Sequence, residues 1–180
     1  GNQGTCGTGT GNAATDTKAY IKALNDANFG GFSDWRLPNV KELWAIVDMG
    51  RVNPSINTAW FPGTVSSYYW SSTTIAYYTS GAWRVHFSNG YDDSDHKSNS
   101  YYVRAVRGGQ SWSLDHLVIN GDGTVTDTDT GLMWQQGTSS PAAMTWDAAL
   151  SYAEGLTLAG YDDWRMPTPK ELQSIVDYSH

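Results

Sequence analysis

Gly31-Phe32-Ser33-Asp34-Trp35-Arg36-Leu37-Pro38 is the most informative segment of the sequence, because it occurs twice. The second copy reads Gly160-Tyr161-Asp162-Asp163-Trp164-Arg165-Met166-Pro167. The match continues at the same offset, where Lys41-Glu42-Leu43 corresponds to Lys170-Glu171-Leu172. A repeat of this length without an insertion indicates two copies of one structural unit. We therefore expect a first repeat over residues 1–110 and a second repeat over 111–180.

Each copy of the motif lies between two segments with helical patterns. In the first copy Asn39 stands at an N-cap position and Glu42 follows three residues later, which is the capping-box spacing. In the second copy Thr168 and Glu171 take these places, and Pro169 falls on the first helical position. The pattern predicts helix, loop and helix in each repeat, with both glutamates as capping rather than catalytic residues. The helices predicted before the motif cover 17–27 and 145–156.

An arginine lies between tryptophan and proline in each copy, as Arg36 and Arg165. A partly buried arginine needs a carboxylate or several carbonyl groups as partners. The first copy offers Asp34 in the motif and Asp48 at the end of the following helix. We expect an ion pair that fixes the loop, rather than a role in ligand recognition. The equivalent candidates in the second copy are Asp163 and Asp177.

Short strands are predicted between residues 60 and 108. Residues 68–73 are β-prone by type, and 82–87 alternate between apolar and polar before the turn at 88–90. Residues 101–107 alternate again. Three strands and two helices predict a small α+β unit. The residues expected to be structural in the two repeats are Trp35, Arg36, Asp48, Trp70, Trp134, Trp164, Arg165 and Asp177.

The second repeat opens with a different pattern. Residues 117–119 and 124–126 flank a glycine-rich turn, and 131–134 are apolar, so we expect a hairpin and a further strand. The segment 110–116 is predicted to be a linker. The second repeat stops at His180, before any equivalent of the strands at 60–108.

The composition excludes several classes of protein. Charged residues make up 16% and aromatic residues 13% of the chain, which favours a folded domain over a disordered one. The net charge of −7 and a pI near 4.8 argue against nucleic acid or an anionic membrane as the main partner. No apolar run approaches the roughly 18 residues of a membrane-spanning helix. Abundant Gly, Ser, Thr, Asn and Tyr favour a secreted or cell-surface protein. Because the sequence opens at Gly1 rather than at Met, we expect a processed chain or a part of a longer protein.

Residues for catalysis or metal binding are not arranged in known patterns. The histidines lack metal-binding spacing, and Cys6 is the only cysteine, so we expect no metal site, no cofactor and no intrachain disulfide. Asp122, Asp127 and Asp129 lie near glycine-rich turns, but the final glutamate of an EF-hand is missing. Turn formation is the preferred interpretation, and calcium binding stays an open alternative. We expect a protein without enzymatic activity.

Residues 91–102 have the composition of a binding surface. Apart from Lys97 the segment contains only Tyr, Asp, Ser, His and Asn, and Tyr77 and Tyr78 extend this composition. Tyrosine offers amphipathic contact area at low entropic cost, as in antibody loops. We interpret the segment as an exposed loop that binds a neutral glycan or a protein, and a merely solvated loop is the alternative. The candidate ligand-binding residues are Tyr77, Tyr78, Trp83, Arg84, His86, Tyr91, Asp93, Asp95, His96, Asn99 and Tyr101.

Several long motifs together resemble one protein family. They are Thr130-Gly131-Leu132-Met133-Trp134, the duplicated Asp-Trp-Arg-(Leu/Met)-Pro motif, and Tyr102-Val103-Arg104 with Val106-Arg107-Gly108. They are similar to the C-terminal domain of the Legionella collagen-like protein, over residues 15–109 and 117–180. The resemblance implies a C-type-lectin-like α+β fold, with two helices and short antiparallel strands per repeat, in a bacterial surface or secreted protein. It also implies adhesion, in some members to sulfated polysaccharide.

Two features of the chain depart from what the resemblance implies. A net charge of −7 opposes polyanion binding, and Arg84, Arg104 and Arg107 are the only clustered cations. The first repeat lacks the family's opening hairpin, and the second contains only the N-terminal half. Either the chain is part of a longer protein, or neighbouring subunits supply the missing pieces. We expect an extracellular adhesion module, and a self-associating subunit of a head-to-tail filament is the alternative.

Overall fold

A computed structural model describes residues 16–109, 116–137 and 143–178. The chain divides into a first unit of residues 1–111 with 177–180, and a second unit of residues 112–176. Cys6, His180 and most of the predicted linker lie outside the described residues. Among the described helices, none combines the length and apolar character that crossing a lipid bilayer requires.

The first unit begins with helix α1, Thr17–Asp26, as the sequence predicts. The Asp16 carboxylate caps it by accepting hydrogen bonds from the first-turn backbone, at 2.9 Å from the amide of Lys18. A short 3₁₀ helix, Phe29–Gly31, and strand β1, Trp35–Arg36, follow. Asn25 joins α1 to β1, because its side chain accepts from the backbone amide of Trp35 at 2.7 Å and donates to the carbonyl at 2.9 Å.

Helix α2, Val40–Ala45, packs on a three-stranded antiparallel sheet. The predicted capping box of Asn39 and Glu42 is confirmed. The strands are β2, Tyr68–Ile75, β3, Tyr78–His86, and β4, Asp92–His96, in that order across the sheet. The buried core between helix and sheet consists of Val40, Leu43, Trp44, Val47, Ile56, Tyr69, Val85 and Phe87.

Two strand predictions need correction. The segment predicted as a binding loop contains β4, which pairs with β3 through Arg84 and Asp93. The predicted strand at 101–107 is mostly wrong, because only β5, Val106–Arg107, is a strand and it pairs with β1. Tyr102 forms one parallel bridge to Tyr69. Pairing with β3, rather than residue type, decides where the third strand of this sheet lies.

The second unit contains the predicted hairpin and two helices. Strands β6, Leu117–Ile119, β7, Thr124–Asp127, and β8, Met133–Gln135, form an antiparallel sheet in sequence order. Helices α3, Trp146–Glu154, and α4, Pro169–Ser174, follow. Thr168 and Glu171 form the predicted capping box of α4. The two units together are mixed helix and antiparallel sheet, so the α+β class is confirmed.

The motif arginines pair with a different carboxylate from the ones we expected. Arg36 meets Glu42 in a bidentate pair with N–O distances of 2.5 and 2.7 Å. The aspartates predicted as partners pair elsewhere, Asp34 with Arg107 and Asp48 with Arg51. Arg36 pairs with Glu42 because the Glu42 carboxylate also accepts a hydrogen bond from the backbone amide of the N-cap residue Asn39. This hydrogen bond directs the carboxylate into the loop. Arg165 meets Glu171 in the same way, at 2.5 and 2.9 Å.

The four tryptophans that we expected to be structural lie in strands or in the loop of the duplicated motif. The indole of Trp35 donates to the Phe29 carbonyl at 2.9 Å, and that of Trp164 donates to the Leu158 carbonyl at 3.4 Å. The two repeats therefore close the motif loop with the same contact. Trp70 is 7% exposed within β2, Trp134 lies opposite Val125 in the hairpin sheet, and Asp177 follows α4.

Candidate binding face

The sheet of β2, β3 and β4 has a second face opposite its apolar core. Successive side chains of a strand point to opposite faces. Since Val85 is fully buried in the core, its neighbours Arg84 and His86 lie on the other side. The register places Tyr68 opposite His86 and Asp93 opposite Arg84. We call this surface the tyrosine face; its members are Tyr68, Arg84, His86, Tyr91, Asp93, Asp95 and Tyr101.

Arg84 lies at the centre of the tyrosine face. Its side chain is 9% exposed and reaches Asp93 and Asp95, each at 3.0 Å. Its guanidinium carbon lies 3.7 Å from the ring centre of Tyr68 and 4.4 Å from that of Tyr101. Burial lowers the pKa of Arg84, but the hydrogen bond that Arg84 donates to Asp93 and the surrounding negative charges outweigh it and raise the pKa. The guanidinium is a fixed cation that orders two carboxylates and two rings around itself.

Asp95 is held ionised by its neighbours. The hydroxyl of Tyr101 donates to its Oδ2 at 2.6 Å, and the backbone amide of His96 donates to Oδ1 at 2.7 Å. These bonds, with a further one from Asn99, lower the pKa of Asp95 to about 2. The same hydrogen bond raises the pKa of Tyr101. Asp95 therefore presents a constant negative charge over the whole physiological pH range.

Three aromatic rings continue the face beside Arg84. His86 and Tyr91 stack with an interplanar angle of 8° and a centroid distance of 5.6 Å. Tyr68 meets the His86 ring edge-on at 4.1 Å, and its hydroxyl is hydrogen-bonded to that of Tyr91. Burial and the charge of Arg84 lower the pKa of His86, so its ring is neutral at pH 7. Its Nδ1 accepts from the Ser88 amide at 3.0 Å, which places the proton on Nε2.

The structure brings some of the predicted ligand-binding residues together and separates others. Trp83 lies on the core side of the sheet, apart from Arg84 and His86, and packs edge-on against Tyr178 at 5.0 Å. Tyr77 lies in the turn between β2 and β3 and is 84% exposed. Tyr78 follows it and lies 6.2 Å from the His96 ring. These residues form an exposed hairpin tip rather than part of the tyrosine face.

Sequence reasoning missed Tyr68 as a member of the site. It belongs to a run of three aromatic residues at the start of β2. The alternation rule indicates that Tyr68 and Trp70 share a face and that Tyr69 lies on the other. The structure agrees, since Tyr69 is in the core and Trp70 meets the Tyr101 ring edge-on at 5.0 Å. The alternation was visible in the sequence, but the sequence does not show which face of β2 packs against the core.

The arginines considered for polyanion binding have other partners. Arg84 is neutralised by Asp93 and Asp95, as described above. Arg107 pairs with Asp34 at 3.0 Å and lies over the Phe32 ring. Two of the three candidate cations therefore have their charge compensated within the first unit.

The aspartates considered for calcium organise turns of the hairpin sheet. Asp122 accepts from the backbone amide and the hydroxyl of Thr124, at 3.1 and 2.6 Å. Asp127 is fully buried and accepts from the amides of Asp129 and Thr130, at 3.0 and 3.1 Å. Within the described residues no group of three or more His, Cys, Asp or Glu has an arrangement that could hold a metal ion.

Comparison with known proteins gives one match. A family model described as the Lcl C-terminal domain matches residues 2–107 and 123–180. Neither the search of curated proteins nor the search of solved structures found a significant match. The two matched ranges cover most of the chain and both copies of the duplicated motif. The chain therefore belongs to the Lcl C-terminal domain family, of which it carries about one and a half copies.

Proposed function

We propose that the protein is a non-enzymatic binding module of the bacterial cell surface or of a secreted protein, with a C-type-lectin-like fold. Its ligand is a neutral glycan or a protein, and its binding site is the tyrosine face. Family membership supports the proposal in general terms. The observation that carries it is the partly exposed cluster of aromatic rings, carboxylates and one cation on the outer side of the first unit's sheet.

The chemistry of the tyrosine face suits hydroxyl-rich or polar surfaces. Asp93 keeps 45% and Asp95 27% of its side chain exposed, so both can accept hydrogen bonds from a ligand. Tyr91 is 44% exposed and offers a flat ring beside them. The cluster is held in place by Arg84, so binding needs little additional ordering of side chains.

A serine–histidine contact beside the tyrosine face has the geometry of a turn. Ser88 Oγ lies 2.6 Å from His86 Nδ1. The Ser88 backbone amide donates to the same nitrogen at 3.0 Å. Both contacts join residues two positions apart at the end of β3, which is the geometry of a local turn. We therefore assign this pair to turn formation.

Ligand capture by matched variants tests the proposal. The intact chain is screened against neutral glycans and extracellular proteins, and captured ligands are tested again with Tyr91→Ser and Asp95→Asn. We expect each substitution to weaken capture at least about tenfold, the size of a lost charge-assisted or aromatic contact. Tyr161→Ser is the control, because Tyr161 is 49% exposed in the second unit. Undiminished capture by both variants would refute the proposal.

Self-association as a structural subunit is a second candidate function. Leu43 and Val47 are each 1% exposed under the sheet of the first unit. Their equivalents in the second repeat, Leu172 and Val176, are 48% and 38% exposed. The equivalent apolar residues of the short helix and the segment after it are thus buried in one repeat and exposed in the other. An exposed apolar face of this kind favours association with another copy of the chain.

Light scattering after size-exclusion chromatography tests this second candidate, with negative-stain imaging of any large species. We expect wild-type assemblies to dissociate when Leu172→Ser and Val176→Ser are combined. Val52→Ser is the control, because Val52 is 70% exposed in the first unit. A monomeric wild-type chain would contradict self-association and would leave the tyrosine-face proposal standing.

A further inference from the structure

A groove of about 520 Å³ lies in the first unit, apart from the residues of the tyrosine face. Its volume is in the range of small-molecule sites. Most of its lining residues are aromatic or aliphatic by type, and polar and apolar atoms share the lining about equally. The lining includes Phe29 and Trp35, whose rings meet edge-on at 5.7 Å. It also includes Tyr69 and Tyr102, whose rings stack at 5.4 Å. Helix α1 adds Tyr20 and Leu24.

Arg104 is the cationic residue in the lining of this groove. Its Nη2 donates to the Thr64 hydroxyl at 2.7 Å, and its guanidinium carbon lies 4.8 Å from the ring centre of Phe61. Its Nε is buried and, among the described residues, has no hydrogen-bond acceptor. A neutral hydroxyl and a ring face compensate a guanidinium charge only in part.

The other arginines of the chain differ from Arg104 in this respect. Each has a carboxylate oxygen at 3.0 Å or less, whereas the described residues place none within 4 Å of Arg104. Because every lysine and arginine of the sequence lies in the described ranges, this comparison covers all arginines. The paired arginines are Arg36, Arg51, Arg84, Arg107 and Arg165.

We propose that the groove binds a small carboxylate with a flat apolar body. The carboxylate pairs with the guanidinium of Arg104 and supplies the compensating charge that the chain itself does not provide there. The apolar body lies against the aromatic residues of the lining, where it gains contact with their rings and removes apolar surface from water. A carboxylate fits better than a larger anion, because the planar guanidinium fork matches the planar carboxylate.

The test uses phenylacetate as the probe and phenylacetamide as its neutral match. Either compound is titrated into the intact isotope-labelled chain, and the backbone amides of Gly63, Val103 and Ala105 and the Arg104 Nε–H are followed by NMR. We expect saturable shifts of these signals with the acid and about tenfold weaker binding of the amide, the value of one charge-assisted pair. Equal binding of acid and amide, or an absence of saturable shifts in the groove, would overturn the proposal.

Two substitutions locate the interaction. Arg104→Gln is expected to remove the preference for the acid, whereas the control Arg107→Gln keeps it, since Arg107 is outside the groove lining and has its own carboxylate. If Arg104→Gln does not fold, Tyr102→Ser tests the groove instead. We expect this variant to fold, because Tyr102 is 48% exposed. That variant should weaken acid and amide by the same factor. Unchanged binding by Tyr102→Ser, or shifts confined to Tyr91 and His86, would contradict the groove as the site.

Discussion

Arg84 is stabilised by charge and by ring contacts at the same time. Asp93 and Asp95 come from β4, whereas Tyr68 comes from β2. One guanidinium on the central strand therefore ties together both outer strands of the sheet. Its burial without such partners would cost several kcal/mol. The tyrosine face is thus part of what holds the first unit together, as well as a surface for a ligand.

Tyr101→Phe tests the electrostatics of this cluster. The folded-state pKa of Asp95 is about 2, below its ordinary value of 3.8, so its contribution to stability is complete above pH 4 and is lost as pH falls through 2. The first cause is the Tyr101 hydroxyl. Its removal should raise the pKa of Asp95 and move the start of acid destabilisation to higher pH. Carboxyl NMR titration of wild type and variant measures the shift, and Tyr91→Phe, which removes a different hydroxyl, should leave Asp95 unchanged.

Gly90 shows how one residue position fixes the turn after β3. Its φ is +84°, and an added Cβ would lie 2.4 Å from Cγ1 of the core residue Val47. Gly90→Ala should therefore combine backbone strain with overpacking and lower the free energy of unfolding by about 3 kcal/mol. Gly63→Ala is the matched control, since Gly63 has a φ of +72° and nothing within 4 Å of an added Cβ. It should cost only about 1 kcal/mol. Equal losses in urea denaturation would contradict the role of the Val47 contact.

The helices and their caps could be predicted from the sequence, whereas one strand could not. Asn39, Glu42, Thr168 and Glu171 form capping boxes because the required residues are local in sequence. Strand β4 reads Asp-Asp-Ser-Asp-His, a composition with low β-propensity. It is a strand because β3 offers it a hydrogen-bonding edge and the Arg84 cation. Such a strand depends on tertiary context that no local pattern contains.

The sequence indicates the residue types of the candidate site but not its geometry. Arg84, His86 and Tyr91 lie together, because they alternate along a strand or follow its turn. Trp83 lies on the core side of β3, and only the position of the core decides which face of that strand is exposed. The partner of Arg36 is Glu42, which the sequence analysis assigned only to capping. The capping role of Glu42 had been assigned, and a carboxylate can serve a backbone amide and a guanidinium together.

The two short helices provide an internal comparison of burial. Leu43 in α2 and Leu172 in α4 occupy the same position of the repeat, but they are 1% and 48% exposed. Leu43→Ala should lower the free energy of unfolding of the first unit by about 3 kcal/mol, the cost of a cavity in a packed core. Leu172→Ala should change that of the second unit by less than about 0.5 kcal/mol. Urea denaturation followed by NMR signals of each unit measures both. A large loss from Leu172→Ala would show that α4 is covered in solution.

At the scale of the whole molecule, charge separates this chain from a binder of polyanions. The net charge is −7, and every arginine except Arg104 is paired with a carboxylate. Arg104 lies in an aromatic groove that suits a single small anion rather than a charged polymer. The net negative charge repels a polyanion, and the pairing of arginines with carboxylates weakens their attraction for it. The affinity for sulfated polysaccharide implied by the resemblance is therefore not expected for this chain at neutral pH.

Chromatography on an immobilised sulfated polysaccharide tests this conclusion. At pH 7 and about 0.15 M salt we expect no retention, since the net charge of −7 repels the polyanion and salt weakens the attraction of single exposed cations. Below the pI of about 4.8 the net charge becomes positive and retention should appear. Asp95 and Glu171, with pKa values of about 2, stay ionised there and keep Arg84 and Arg165 paired. The lysines should then carry much of the retention, and acetylating them should weaken it. Strong salt-sensitive retention at pH 7 would contradict this conclusion.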